Sequence, residues 1–242
     1  MLFITGDIHG SQKIWRDGIL KIIKPGDTII IVGDFGKGFY SNDNQDEESF
    51  LDFLDRQNIT ILFIDGNHEN FSQLNNHEIS NWNGGKVHFI RSHIIHLIRG
   101  EIYSVEGKNI FVMGGGYTSD RSRRRLNESW WHEEMPNDEE YRNASENLKK
   151  HGYKVDYILT HTAPANTVEY MKHLNLKIKN SAFDEAPLTG FLQWIEESVD
   201  YHKWYFGHFH IDKELWRNQY VLYQAVREFF TGDLIEFRNG NL

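Results

Sequence analysis

Short apolar runs that stop abruptly at a glycine or a polar residue recur along the chain: LFITGDIHG, TIIIVGDFG, ITILFIDGNHE, NIFVMGGGY, VDYILTHTAP and KWYFGHFH. Each has the length of a buried strand and ends in residues that favour a loop. Segments with helical spacing lie between several of them, over 14–23, 47–57, 139–151 and 188–199, so strands and helices alternate. Pro25-Gly26-Asp27 supplies a turn before the second strand. Residues 101–113 read as a hairpin turning at Gly107-Lys108, and YVLYQAVREFFTGDLIEF as another turning around Gly232-Asp233. The expectation is a layered α/β sandwich with antiparallel strands on one side.

The chain has 242 residues and no Pro- or Ser-rich linker, which fits one domain spanning 1–242 with a full two-layered core. It contains no cysteine, so any metal must be held by His, Asp, Glu or Asn. No window approaches the roughly 18 apolar residues of a membrane span. The opening MLFITGDIHG carries neither a basic leader nor a small-residue cleavage site, and a cytoplasmic location is expected. A net charge of -9 argues against broad, charge-driven nucleic-acid binding.

The residues able to bind metal concentrate at the strand ends. Asp7 and His9, Asp34, Asn67 and His68, His161, and His208 with His210 all fall at or just past the C-terminal end of an expected strand. In α/β sheets that edge gathers ligands, because loops converge there on rigid strands. Asp7-x-His9 and His208-x-His210 place two ligands two residues apart, on one face if the backbone is extended. Gly6, Gly33, Gly66 and Gly207 each precede a candidate ligand, as expected where a Cβ would block a close approach. One histidine at a strand end is weak support for a metal site; eight suitable residues in five blocks are much stronger. His77, His88, His93, His96, His132, His151, His173 and His202 are read as structural or surface residues, and Asp27 as a turn aspartate.

The ordered set GDIHG, GDFG, GNHE, THTAP and GHFH, running from Gly6 to His210, resembles the signature of the calcineurin-like metallophosphoesterases. The resemblance implies a four-layer α/β/β/α sandwich with a bimetal centre. It assigns Asp7, His9 and His210 to one metal, Asn67, His161 and His208 to the other, and Asp34 to both. Two divalent ions carry a charge of about +4, of which two carboxylates and a bridging hydroxide remove about three; the remainder suits a phosphate oxygen. That hydroxide is the expected nucleophile. Manganese is the first choice of metal, with iron, zinc or nickel also compatible. His68, next to Asn67, is expected to act as the general acid, poised near neutral pH, with Glu69 or Asp65 orienting its ring.

Phosphoprotein phosphatases of this superfamily extend the second block to GDxVDRG and the third to RGNHE, whereas this chain has GDFGKG and DGNHE. Both phosphate-binding arginines are missing, so a dedicated protein phosphatase is not expected. GGGYTSD, the arginine run and SWWHEEMP resemble instead a group of bacterial and phage metallophosphoesterases. The segment 117–136 is therefore expected to form a loop on the substrate side, with Arg124 or Arg125, and Asn67, meeting phosphate. The expected substrate is a phosphomonoester or phosphodiester of a soluble compound or nucleotide. A nuclease is the alternative, motivated by the arginine run and Trp130-Trp131; a non-catalytic metal-binding scaffold is a third.

Overall fold

The structure, a computed structural model, describes residues 1–38, 45–176, 178 and 184–238. One sheet carries β1 (Leu2–Thr5), β2 (Thr28–Val32), β3 (Thr60–Ile64), β4 (Ile79–Trp82), β5 (Gly85–Arg91), β6 (Ile94–Leu97), β13 (Ala225–Glu228) and β14 (Leu234–Phe237), in the order β14-β13-β1-β2-β3-β6-β5-β4. The other carries β7 (Ile102–Val105), β8 (Lys108–Met113), β9 (Tyr157–Thr160), β10 (Lys203–Phe206), β11 (Lys213–Glu214) and β12 (Gln219–Val221), in the order β11-β12-β10-β9-β8-β7.

Three layers of apolar contact hold four layers of structure. Alternate residues of β1, β2 and β3 (Leu2, Ile4, Ile30, Val32, Leu62, Ile64) meet Ile110, Val112, Leu159 and Tyr205 of the facing sheet. The intervening residues (Phe3, Ile29, Ile31, Phe63) pack outward on Trp15, Ile19, Phe50, Leu51 and Leu54 of the helical segments Ile14–Ile19 and α2 (Gln45–Asp55). On the opposite side Phe111, Ile158, Trp204 and Phe206 pack under α4 (Asp138–Lys150), α5 (Ala165–His173) and α6 (Ala186–Ser198). This is the expected α/β/β/α sandwich, and the uninterrupted apolar strands follow from burial on both faces. No helix among the described residues is long and apolar enough to cross a membrane.

Several local expectations hold. The helices near 47–57, 139–151 and 188–199 form within two residues of the expected bounds. The 101–113 hairpin forms, with its turn one residue earlier than expected, at Glu106 and Gly107, both with positive φ, as a tight two-residue turn demands. Asp27 caps its turn by accepting from Lys24 N (2.7 Å).

Others change. The segment 14–23 begins as a π-helix, Ile14–Ile19, before α1 (Leu20–Ile22). In the C-terminal segment the expected hairpin around Gly232-Asp233 forms between β13 and β14, but Tyr220 and Val221 belong to β12, which pairs with β10 in the other sheet. β4–β6, α3 (Phe71–Leu74) and α5 were not anticipated.

Strands β1, β2 and β3 are mutually parallel and adjacent, as are β8, β9 and β10. Their C-terminal ends therefore lie along one edge of the two-sheet stack, which delivers the metal-capable loops to a common place.

Candidate metal centre

Seven candidate ligands from five loops converge at that edge. His9 Nε2 lies 3.1 Å from His210 Nε2, and Asp7 Oδ2 lies 3.1 Å from His210 Nε2 and 3.8 Å from His9 Nε2. Nearby, Asn67 Oδ1 lies 3.1 Å from His161 Nε2 and 3.0 Å from His208 Nδ1. Asp34 stands between the two groups, its Oδ2 3.6 Å from His9 Nδ1 and 3.4 Å from His161 Nε2. Asp7, Asp34 and His161 are all but fully buried, whereas the His210 side chain is half exposed at the mouth.

The backbone is bent to reach this arrangement. His9, Asp34, His208 and His210 all have positive φ, between 51° and 67°, a conformation costing non-glycine residues about 1–3 kcal/mol each and concentrated at functional sites. The extended geometry expected for the two x-spaced pairs is thereby corrected. Because His208 and His210 sit in a turn, their rings part: His208 faces Asn67 and His161, while His210 joins Asp7 and His9. The glycines serve close approach, as expected. A Cβ on Gly33 would lie 2.0 Å from His161 Nδ1, and one on Gly66 2.1 Å from Asp34 Oδ1.

Hydrogen bonds outside the ligand set fix the ring and amide orientations. His161 Nδ1 faces the Val32 carbonyl at 2.9 Å, so that nitrogen carries the proton and Nε2 turns to the cluster. The Asn67 amide donates to Thr118 Oγ1 (3.0 Å), which leaves Oδ1 facing inward. His208 N and His68 N donate to Asp7 Oδ1 (3.1 Å) and Asp34 Oδ1 (2.8 Å). Arg238, buried, donates to the carbonyls of Gly6 and Asp7. His210 stacks on Tyr223, with centroids 4.6 Å apart.

The residues present fit divalent ions. Asp7 Oδ2 is buried and faces ring nitrogens of two other candidate ligands, His210 Nε2 at 3.1 Å and His9 Nε2 at 3.8 Å, a cluster of donor atoms that suits a cation. Two ligand atoms about 2.1 Å from one ion, at tetrahedral or octahedral angles, lie roughly 3.0–3.4 Å apart; five of the seven pairs given above fall in that range, and the two between His9 and a carboxylate are wider, at 3.6 and 3.8 Å. The electrostatics agree. Burial pushes Asp34 up, but His161 and His68 outweigh it and hold the carboxyl well below its usual range. Burial pulls His161 down, yet Asp34 and Asp7 carry it up to about 10, so the pocket already holds a positive charge that a metal can replace.

The chain matches the model of the calcineurin-like phosphoesterase family over residues 2–212. It belongs to that family. No curated protein matches it. For a calcineurin-like phosphoesterase the general consequences are hydrolysis of phosphoric esters and dependence on metal.

A cleft of about 660 Å³ opens on this centre, lined by Asp34, Asn67, His68, His208 and His210 together with Tyr117–Asp120, Arg123 and Arg124. The 117–136 segment thus borders the site. Arg124 lines the cleft, oriented by Asp120 (2.6 Å). Arg125 does not: its side chain is 82 % exposed and paired with Glu128. Arg123, not singled out in the sequence, takes its place. Arg121 builds the loop instead, lying over the Tyr117 and Trp130 rings and donating to Glu134 (2.9 Å). Trp131 is buried and bonds Ser72 (3.1 Å).

His68 lies at the cleft wall with its ring 5.4 Å from that of His9. Burial lowers it to about 4 despite the pull of Asp34, so the ring is neutral at pH 7 and not poised near neutrality as expected. The two carboxylates considered for orienting it have other duties. Glu69 Oε2 accepts from Gly36 N (3.0 Å) and Lys37 N (2.7 Å), and Asp65 pairs with Arg99 and His96. Sequence reading missed Glu185, Thr118 and Arg238. None lies in a signature block; Thr118, inside GGGYTSD, alone carried a local hint.

Proposed function

We propose that this chain hydrolyses a phosphoester of a soluble small molecule or nucleotide at a centre for two divalent ions, with manganese the first choice. Asp7, His9 and His210 would hold one ion, Asn67, His161 and His208 the other, and Asp34 both. When bound, such ions neutralise phosphate charge and acidify the attacking water. The observation that carries this reading is the position of Asp34, whose Oδ2 lies within 3.6 Å of a histidine from each group.

The chain's own residues would do the rest. Arg124, and Arg123 beside it, line the same cleft and would offer a bidentate fork to the phosphate. His68, anchored through its backbone to Asp34, is neutral at pH 7 in the free protein; the negative charge of a bound phosphate would raise its affinity for a proton taken from solvent, which the ring would then give to the departing ester oxygen. A nucleic-acid substrate is the less favoured reading: Trp131 is buried, Trp130 lies under Arg121, and the net charge is -9, although Arg123 and Arg124 of the arginine run line the cleft.

The test is a panel of p-nitrophenyl phosphate, its diester, cyclic nucleotides, dinucleoside polyphosphates and a labelled oligonucleotide, run in manganese with and without chelator. Chelator-sensitive turnover of a small ester without strand cleavage is expected. Strand cleavage would favour the nuclease, and metal binding without any turnover the scaffold.

A further inference from the structure

Glu185, immediately before α6, has a wholly buried carboxylate that is tied to three segments of the metal centre. Its Oε1 accepts from Tyr117 N (2.9 Å) and lies 3.4 Å from His208 Nε2, and its Oε2 accepts from the Thr162 hydroxyl (3.2 Å). Thr162 follows His161, and Tyr117 precedes Thr118, which holds the Asn67 amide. One carboxylate thus touches His208 and braces the neighbours of the other two ligands of the same group.

We propose that Glu185 is a positioning residue that sets the tautomer of His208 and thereby the affinity of the ion held with Asn67 and His161, a role that presupposes the two-ion centre proposed above. A neutral imidazole carries one proton. With the proton on Nε2, His208 turns its N–H toward Glu185 Oε1, 3.4 Å away, and leaves the Nδ1 lone pair, 3.0 Å from Asn67 Oδ1, for a cation. The opposite tautomer sets a nitrogen lone pair against a carboxylate oxygen and turns an N–H toward the ion site. Carboxylate partners of this kind raise the basicity of a ligating histidine, and losing one typically weakens metal binding about 10–100-fold. The hydrogen bonds and ion pair of Glu185 among the described residues run to Tyr117, Thr162 and His208 and not to Asp7, His9 or His210, so the other ion should keep its affinity.

The experiment is manganese titration calorimetry on the wild type, Glu185→Leu and Glu185→Gln, with long-range proton–nitrogen correlation of the histidine rings in the metal-free proteins. Expected are two ions in the wild type and a loss of about 10–100-fold at one of them in Glu185→Leu. Glu185→Gln, which keeps an acceptor but not the charge, should recover part of it. His208 should carry its proton on Nε2 in the wild type and lose that preference in Glu185→Leu. Wild-type affinities together with a wild-type tautomer in Glu185→Leu, or in Glu185→Gln should the leucine variant not fold, would overturn the proposal. A wild type that binds no ion would overturn the two-ion centre and this role with it, and shows itself before any substitution is compared.

Discussion

The side-chain amide of Asn67 donates to Thr118 Oγ1 at 3.0 Å, joining the GNHE block to the substrate-side loop 51 residues away. An asparagine has no intrinsic preference between its two amide orientations, so Thr118 decides which atom faces His161 and His208. Thr118→Val keeps the shape and removes the acceptor. Manganese affinity should drop by about tenfold at one ion and stay constant at the other, as for other lost outer partners. Titration calorimetry checks this, and two unchanged ions would count against it.

Asp34 and His68 are neighbours with different expected roles. Asp34→Asn or His161→Ala should strip metal and activity together, because the first removes the negative charge common to both ions and the second a ring nitrogen from one of them. His68→Ala should keep the metal and lose turnover by about 10²–10⁴-fold, the range of general acid catalysis. Metal content by elemental analysis beside kcat separates the cases. Metal loss in the His68 variant would show that His68 supports the ions instead of the leaving group.

Much of this centre could be read from sequence because strand ends carry it. Periodicity places the C-terminal edges of β1, β2, β3, β9 and β10, and every candidate ligand sits within four residues of one. What could not be read depends on tertiary contact. The positive φ at His208 and His210 comes from a turn whose ligands are shared with other loops, and nothing in GHFH distinguishes it from an extended stretch. Glu185 is an ordinary-looking glutamate that folding brings to His208 from 23 residues away in the chain. Arg123 and Arg125 are indistinguishable in RSRRR, and only the short helix Arg121–Arg123 settles which one meets the cleft.

Behind the centre, Asp65 and Arg99 form a nearly fully buried ion pair at 2.6 Å, and Asp65 is held down to about 2, burial being outweighed by Arg99 and His96. Arg99→Met leaves a buried carboxylate without its cation, which costs about 3–5 kcal/mol. Urea unfolding should show a loss of that size, whereas Arg125→Ala, on the exposed side of the loop, should leave the midpoint unchanged. Equal midpoints for wild type and Arg99→Met would refute the importance of the pair.

His88 extends the same network: its Nδ1 is 3.1 Å from His96 Nδ1, and His96 Nε2 is 3.1 Å from Asp65 Oδ1. Since Asp65 can only accept, His96 carries its proton on Nε2 and offers the Nδ1 lone pair to an N–H of His88. Burial, then the neighbouring His96 and His77, hold His88 down to about 4, against a weaker upward pull from Asp65. An unfolded histidine titrates near 6.5. Between these values the unfolded chain binds the proton and the folded chain does not, so this contribution to stability is complete above pH 6.5 and is lost as pH falls toward 4. His88→Gln keeps a donor for His96 and removes the titration. Urea unfolding from pH 7.5 to 4.5 should therefore show the wild type losing more stability than the variant, with the two curves converging toward acid. Parallel curves would mean that His88 is not the group responsible.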